Sequence, residues 1–577
     1  MEKLDYKKIN EFRTLIGKVE NRTLDDEQVN SIVTGDNSTL VIAGAGSGKT
    51  TTIVGKIKYL ICKEHVSPNK VLVLSFTNLS AKEMKERIEK EINASIYVST
   101  FHKLGLEIIK ESTDYEVEIF IGDLRSIIIT SINKLINNSE YLIKLISYLV
   151  NTLNIKKGIK DEIFKYKEET IVSYFLYLNN IMYEYTSNSF YLITYDLFIK
   201  CKKNFNLVKF ILYLKSNNII LTKVNYNLVW KLFNKNNNII YSLSEYFCTV
   251  ISLIKSNDLS LEELERDNKD IIYLIKPIYE EYNKYLKDNN LIDFNDMINL
   301  STYLVNTNKY IHNYDYVIVD EFQDISKSRY NLLIALRKQK DYKLFCVGDD
   351  FQSIYRFSGS DISLITEFEK YFGKTKINKI TTTYRFPNLL AKISGEFIMK
   401  NKKQIKKEIK GIESDIFPLE IINNSELENK LKSLPYYSTV YFLGRYSTDI
   451  DLIKGNKEFL INYRNNKIEI IYGKRVDLDI EFLTIHKSKG LERDYTFILN
   501  NKERGKSFPS KIINDKFINS LLDNSDTFPF AEERRLFYVA ITRAKTKCFL
   551  LEEKDNCSKF LKELYSLIKK YDIIKKK

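Results

Sequence analysis

The sequence predicts an α/β fold, and three observations carry the prediction. STLVIAG, residues 38–44, is a short apolar, β-branched run followed by a glycine-rich turn and the helical pattern KTTTIVGKIKYLI. A second apolar run, Tyr316 to Val319 in YDYVIVDEFQD, shows no polar alternation and reads as a buried parallel strand ending in a carboxylate. The two lie about 270 residues apart, more than a typical domain spans, so a large segment is inserted between them.

Bulk properties bound the function classes. A chain of 577 residues is too long for one hydrophobic core, so several domains are expected. Only 19 glycines and 7 prolines occur, which argues for element-dense domains without long flexible linkers. The net charge of +14, from 89 basic and 75 acidic residues, points to a polyanionic partner, with nucleic acid ahead of membrane; general lysine enrichment is the competing reading. Six scattered cysteines with no CxxC pair, and four histidines, argue against a zinc site or a disulfide framework. MEKLDYKKIN lacks the apolar core of a signal peptide, and no run of about 18 apolar residues follows, so a soluble cytoplasmic protein is expected.

The first motif has the chemistry of a triphosphate grip. Strand, glycine turn and helix is the context a phosphate-binding loop requires. Ala43, Gly44, Ala45, Gly46, Ser47 and Gly48 would wrap backbone N–H groups around phosphate oxygens at a helix N-terminus. Lys49 would reach the β- and γ-phosphates and Thr50 would offer a hydroxyl to Mg²⁺. Ala43 stands where the pattern usually has its first glycine, and a small residue suffices there. Asp320, at the end of the second strand, is the expected Mg²⁺ ligand, and Glu321 the expected general base for an attacking water.

Further stretches follow in a fixed order: LDDEQVNSI, VLSFTNLSAKEMKERI, VSTFHKLG, VIVDEFQDIS, VGDDFQSIYRFSGSD, TTTYRFPN, FLTIHKSKGLERDYTFI and AEERRLFYVAITRAK. In this order they resemble the UvrD/Rep family of superfamily-one helicases over residues 21 to about 553, and GDDFQSIYRFSGSD and AEERRLFYVAITRA look more like its helicase IV branch than its UvrD branch. The resemblance implies two RecA-like lobes with parallel sheets, ATP between them, and a mostly helical subdomain inserted in each. It also implies ATP-driven 3′ to 5′ movement on single-stranded DNA.

The same resemblance assigns roles. Gln28 would read the adenine edge, since an amide both donates and accepts. Tyr384 would stack on the base, Glu492 would accept from the ribose hydroxyls, and Gln352 would sense the γ-phosphate or the water. Thr51 stands where relatives often carry an arginine that covers the other face of the base. Arg385 and Arg543 would reach from the second lobe to neutralise charge on the transferring phosphoryl group. Phe76, Thr77, Asn78, Thr100, Phe101, His102, Tyr355, Phe357, Thr484 and His486 are the expected DNA track, with aromatics stacking bases and polar groups holding phosphates. Ser358 replaces a phosphate-contacting arginine of the family, with Arg356 its candidate substitute, and Arg534 and Arg535 read as structural.

The expected organisation begins with the first lobe at 1–105, opening on an amphipathic helix within residues 1–20. A helical insertion at 106–290, with a loop at NKNNN (234–238), interrupts that lobe, which resumes at 291–374. The second lobe starts at 375–400, is broken by a short insertion at 401–480, and ends at 481–577 with a basic tail. No room is expected for an appended nuclease domain. The expected function is an ATP- and Mg²⁺-dependent helicase acting on single-stranded DNA and tailed duplexes, in repair, recombination or antiphage defence. The alternative is a non-unwinding DNA-dependent ATPase subunit in a complex with a nuclease or RNA polymerase.

Overall fold

The computed structural model describes residues 5–113, 117–186, 188–233, 238–464, 467–511, 515–523, 525–553 and 556–576. The chain forms two compact units, residues 1–112 with 300–577, and residues 113–299. No helix among the described residues is long and apolar enough to cross a membrane.

The first unit holds two sheets. The first contains β1 (Ser38–Ala43), β2 (Val71–Ser75), β3 (Tyr97–Thr100), β4 (Tyr316–Val319), β5 (Lys343–Gly348) and β6 (Lys376–Ile380), in the order β6-β1-β5-β4-β2-β3. Every neighbouring pair is parallel. STLVIA and VLVLS are buried at each position, the pattern of strands covered by helices on both faces. Helices α1 (Tyr6–Ile16), α2 (Asp26–Val33), α3 (Lys49–Cys62), α4 (Asn78–Ile92) and α5 (Phe101–Ser112) belong to this part of the chain. The amphipathic α1 turns Ile9 and Ile16 into a core shared with Val41, Ile53, Ile57, Val73 and Ile318.

The second sheet contains β8 (Leu419–Asn423), β9 (Thr439–Gly444), β10 (Phe459–Arg464), β11 (Lys467–Tyr472), β12 (Asp479–Thr484), β13 (Arg493–Ile498) and β14 (Ala544–Glu552). Its order is β8-β14-β13-β9-β12-β11-β10, parallel from β8 to β12 and antiparallel through the last two strands. Between the sheets, β7 (Thr382–Pro387) pairs with Lys410–Ile412. Longer helices of this unit include α6 (Lys327–Gln339), α7 (Asn388–Ile398), α8 (Ala531–Ile541) and α9 (Lys559–Lys576).

Two expected boundaries are corrected. The first sheet runs past residue 374, because Lys376–Ile380 pairs with β1 in the register Thr39↔Lys376 to Ala43↔Ile380. KINKI is a half-exposed edge strand whose alternation hides it from a search for apolar runs. Residues 401–480 are not an insertion. They supply β8, β9, β10 and β11, so most of that stretch is the second sheet itself. LEIIN and TVYFLG are short apolar strands lying between recognisable motifs, and nothing local distinguishes them from an inserted domain.

The second unit spans residues 113–299 rather than 106–290: α5 belongs to the first unit, which resumes at 300 rather than 291. It is mostly helical, with long helices at Ser139–Thr152, Ile239–Ser256 and Lys269–Asp288. It also carries a three-stranded antiparallel sheet, Tyr183–Thr186, Ser189–Leu192 and Leu197–Lys200, that the sequence pattern did not announce. Residues 234–237 of the expected loop and the terminal residue 577 lie outside the described residues.

Inside this unit the Lys255 side chain is 2% exposed and pairs with Asp293 at 2.7 Å and Asp296 at 2.6 Å. Tyr282 donates to the same Asp293 oxygen at 3.0 Å. Burial and the neighbouring Asp293 push the Asp296 carboxyl up, so Lys255 is what keeps two adjacent carboxylates compatible. Removing one partner of a buried pair leaves uncompensated charge. Lys255→Ala is expected to lower unfolding stability by about 3 kcal/mol. Urea unfolding followed by fluorescence of Trp230, the single tryptophan of the chain and a buried member of this unit, measures it.

Candidate active site and nucleic-acid interface

The phosphate loop takes its shape from β1 and α3. Gly46 and Gly48 have φ of 72° and 78°, values that favour glycine. A Cβ on Gly46 would lie 2.5 Å from Arg385 Cβ and 2.7 Å from Thr383 Oγ1. That space is needed because β7 docks on the loop. Thr383 Oγ1 donates to the Ala45 carbonyl at 2.7 Å, and the Tyr384 N–H donates to the Gly46 carbonyl at 3.0 Å. Glu27 of α2 accepts from the N–H and hydroxyl of Thr381 at 2.6 and 2.7 Å.

The acidic partner strand ends beside the loop. Lys49 Nζ lies 2.9 Å from Glu321 Oε1. Burial and the Glu321 charge push the Asp320 carboxyl up, whereas Lys49 and Lys489 hold Glu321 down against its own burial. The pair is thereby split electrostatically: Lys49 and Lys489 outweigh burial at Glu321, whereas burial and the Glu321 charge outweigh Lys49 and Arg87 at Asp320. Glu321 sits at φ 49°, a left-handed conformation uncommon outside glycine, and the Gln323 amide donates to its Oε2.

Two guanidinium groups close the pocket from the β7 and α8 side. Arg385, on β7, pairs with Glu492 at 2.7 Å; Lys545 holds the other Glu492 oxygen at 3.2 Å. Arg543, just past the end of α8, is fully buried. It donates to the carbonyls of Val539 at 3.0 Å and Leu491 at 3.1 Å, and to Gln352 Oε1 at 3.4 Å. Burial and the nearby Arg385 charge bring Arg543 down to about 9.

Around the expected base site, Gln28 is engaged at both ends. Its carbonyl accepts the Asp25 N–H at 3.1 Å as half of a capping box, and its amide donates to the Ser47 carbonyl at 3.3 Å. Tyr384 is 52% exposed and donates to Asp25 at 2.7 Å. Thr51 donates to Glu20 at 2.9 Å, and Arg87 of α4 pairs with Glu20 and reaches Thr51 Oγ1 at 3.2 Å. A guanidinium therefore stands beside Thr51, supplied by another helix.

Comparison with known proteins agrees with this geometry. The description "UvrD/REP helicase N-terminal domain" matches residues 24–373, and "Viral superfamily 1 RNA helicase core domain" matches 269–552. The chain belongs to the UvrD/REP helicase family. It is similar to DNA helicase IV of Escherichia coli (strain K12), 28% identical over 97% of this chain and 72% of that protein. It is also similar to the ATP-dependent DNA helicase Rep of Buchnera aphidicola subsp. Acyrthosiphon pisum, 30% identical over 67% of this chain and 47% of that protein. The ATP-dependent DNA helicase PcrA of Staphylococcus epidermidis (strain ATCC 35984) is 26% identical over 66% of this chain and 41% of its own length. The chain therefore matches less than half of the Rep and PcrA sequences.

Against the expected DNA track of such a helicase, the structure divides the candidates. Phe101 is 5% exposed and cannot stack a base; it begins α5 and packs inward. Thr100 is buried, its hydroxyl accepting the Lys103 N–H at 3.2 Å, and Thr77 caps α4 through the Ser80 N–H at 3.1 Å. Asn78, exposed at the start of α4, accepts from Thr100 at 3.4 Å. Phe76 stacks on Tyr355, centroids 5.5 Å apart, while the Arg329 guanidinium covers the Phe76 ring at 5.0 Å. Phe357 is 53% exposed and meets His486 edge-on at 5.3 Å. Thr484 ends β12, partly exposed, two residues before His486. Phe357 is thus the aromatic with open surface, and Phe76 and Tyr355 form its support.

Some participants escaped sequence reasoning. Lys489 pairs with Asp324, donates to the Gln352 carbonyl at 2.8 Å and lies over the Tyr355 ring at 5.1 Å, joining the acidic site to the aromatic cluster. It lies in SKG, within a quoted motif, but nothing in the string says which lysine turns inward. Arg356 donates through Nε to the Asp523 carbonyl at 2.7 Å. Arg534 pairs with Glu563 at 2.7 Å and Arg535 donates to the Ser353 carbonyl at 2.7 Å, both buried.

Two expected outcomes follow from this geometry. Gly46→Ala forces a side chain into the space where β7 docks and adds about 1–2 kcal/mol of left-handed strain. It should weaken nucleotide binding at least about tenfold, read by titration calorimetry. Burial brings His102 and His486 down to about 4, below the unfolded value of about 6.5. The stability these neutral rings contribute is present above pH about 6.5 and is lost as pH falls toward 4. Thermal melts across that window should show the decline, and His102→Asn with His486→Asn should flatten it.

Proposed function

We infer that this chain is an ATP-hydrolysing DNA helicase that turns closure of the Arg385–Arg543 side onto the phosphate loop into 3′ to 5′ movement along single-stranded DNA. The observation carrying this reading is the composite pocket. Lys49 and Glu321 come with the first sheet, Arg385 comes with β7 between the sheets, and Arg543 comes between α8 and β14 of the second. Family membership supports ATP use and DNA as the substrate class.

Each residue has a task in turnover. The loop amides and Lys49 bind the phosphates. Glu321, held anionic by Lys49 and Lys489, orients the attacking water and accepts its proton. Arg385 and Arg543 neutralise charge on the transferring group, an effect on the order of 10³ to 10⁵ in rate. Arg385 must exchange Glu492 for phosphate to do so, which frees Glu492 for the ribose hydroxyls. Asp320 and Thr50 offer hard oxygen donors of the kind Mg²⁺ takes, and the ion would neutralise β- and γ-phosphate charge when bound. β7 already holds Arg385 against the loop, whereas Arg543 arrives with α8 and the second sheet, so turnover depends on that side settling onto the bound phosphates, and product release permits it to part.

On the DNA side, the exposed Phe357 ring beside His486 supports base stacking without sequence choice. The link from Tyr355 through Lys489 to Asp324 supports communication between strand and nucleotide. The charge of +14 supports the polyanion.

Single-stranded DNA is expected to raise the ATPase rate, and Lys49→Ala or Glu321→Gln to abolish it. Equal rates with and without DNA would remove the motor reading. Arg543→Ala should retain nucleotide binding and lower turnover at least about 10³-fold. Strand displacement on 3′-tailed against 5′-tailed duplexes tests direction, with activity on the 3′-tailed substrate expected.

A further inference from the structure

Beside the nucleotide residues lies a second charge cluster that the mechanism above leaves unused. Lys407, Asp349 and Asp350 all have side chains with no solvent exposure. The two aspartates follow β5 of the first sheet, while Lys407 comes after α7 on the stretch leading to Lys410–Ile412. Lys407 Nζ lies 2.6 Å from Asp349 Oδ1, is ion-paired with Asp350, and sits 3.6 Å from the centre of the Phe351 ring. The Ile405 N–H donates to the other Asp350 oxygen at 2.8 Å.

From Asp349, two hydrogen-bonded routes lead into the pocket. Asp349 Oδ2 accepts from Gln352 Nε2 at 2.5 Å, and the carbonyl end of Gln352 faces Arg543. The Asp349 N–H donates to Gln323 Oε1 at 2.9 Å, and the amide end of Gln323 faces Glu321. A carboxylate only accepts and a guanidinium only donates, so each glutamine amide has one permitted orientation.

We propose that Lys407 is a positioning residue for ATP turnover: by anchoring Asp349 it sets the aim of Gln352 toward Arg543 and of Gln323 toward Glu321. Without the ammonium, Asp349 Oδ1 loses the cation that holds it in a dry site. The Asp349 carboxylate can then rotate, the Gln352 amide bonded to its Oδ2 turns with it, and Arg543 no longer meets the Gln352 carbonyl. Lys407 itself touches neither nucleotide nor DNA, so ground-state binding should be spared and turnover lost.

The inference rests on the ATP-hydrolysing reading of the pocket, and the experiment separates the two. Lys407→Met is compared with the charge-balanced pair Lys407→Met/Asp350→Asn, with Asp350→Asn as control, in full-length protein. Steady-state ATPase is measured at saturating single-stranded DNA, together with thermal melting. Both Lys407 variants should lose at least tenfold in kcat, with KM for ATP and DNA affinity within twofold, while the control stays within twofold of wild type. Adding Gln352→Ala to either should cost less than a further twofold, because both changes break one chain of contacts. The proposal is overturned if a folded Lys407 variant turns over at the wild-type rate, or if the losses multiply with Gln352→Ala. It is overturned equally if kcat falls only with the folded fraction, or if neither variant folds, since Lys407 is then structural alone. A wild-type protein without DNA-stimulated ATPase instead removes the parent reading.

Discussion

The docking of β7 on the phosphate loop is the constraint on which the site depends. Thr383 and Tyr384 bond to the carbonyls of Ala45 and Gly46, and Glu27 fastens Thr381 from the other side. These contacts fix the point where the chain leaves the first sheet for the second. They place Arg385 against Gly46, at a separation no side chain at 46 would allow. The glycine-rich loop and the strand that carries Arg385 are thereby registered to each other through the loop's backbone carbonyls.

Around that contact the charges are arranged in series. Lys49 faces Glu321, Lys489 faces Asp324, Lys407 faces Asp349 and Asp350, and Arg385 faces Glu492. Each cation lowers the cost of burying a carboxylate, and the Lys489 and Lys407 contacts join the second sheet's side of the unit to the first. Glutamine amides link the series, since one amide can satisfy an acceptor at one end and a donor at the other. A change in any one charge is therefore felt by groups that do not touch it.

The aromatic cluster follows a different logic. Phe76, Tyr355, Phe357 and His486 pack on one another, and Arg329 and Lys489 cover two of the rings. Rings at strand ends satisfy each other before they satisfy a ligand, so one exposed ring rests on a rigid support. Rigid support suits sequence-independent stacking, which needs a flat face held in place.

The sequence by itself named residues that the fold brings together at the pocket. A glycine turn after a buried strand, a strand ending in Asp320–Glu321 and the motifs carrying Arg385 and Arg543 are local patterns, and local patterns survive in a string of letters. It also announced α1 through its spacing and the existence of a large inserted unit through the distance between motifs. What only tertiary structure decided was pairing. Lys376–Ile380 joins the first sheet, and Leu419–Asn423 and Thr439–Gly444 join the second, because hydrogen-bond partners distant in sequence were available. Phe101 is buried while Phe357 is exposed, although both stand in recognisable motifs. Lys407 and Lys489 look like any surface lysine in a lysine-rich chain. Their significance arises from which carboxylates the fold brings within reach, and that depends on contacts across more than 50 and 160 residues of chain.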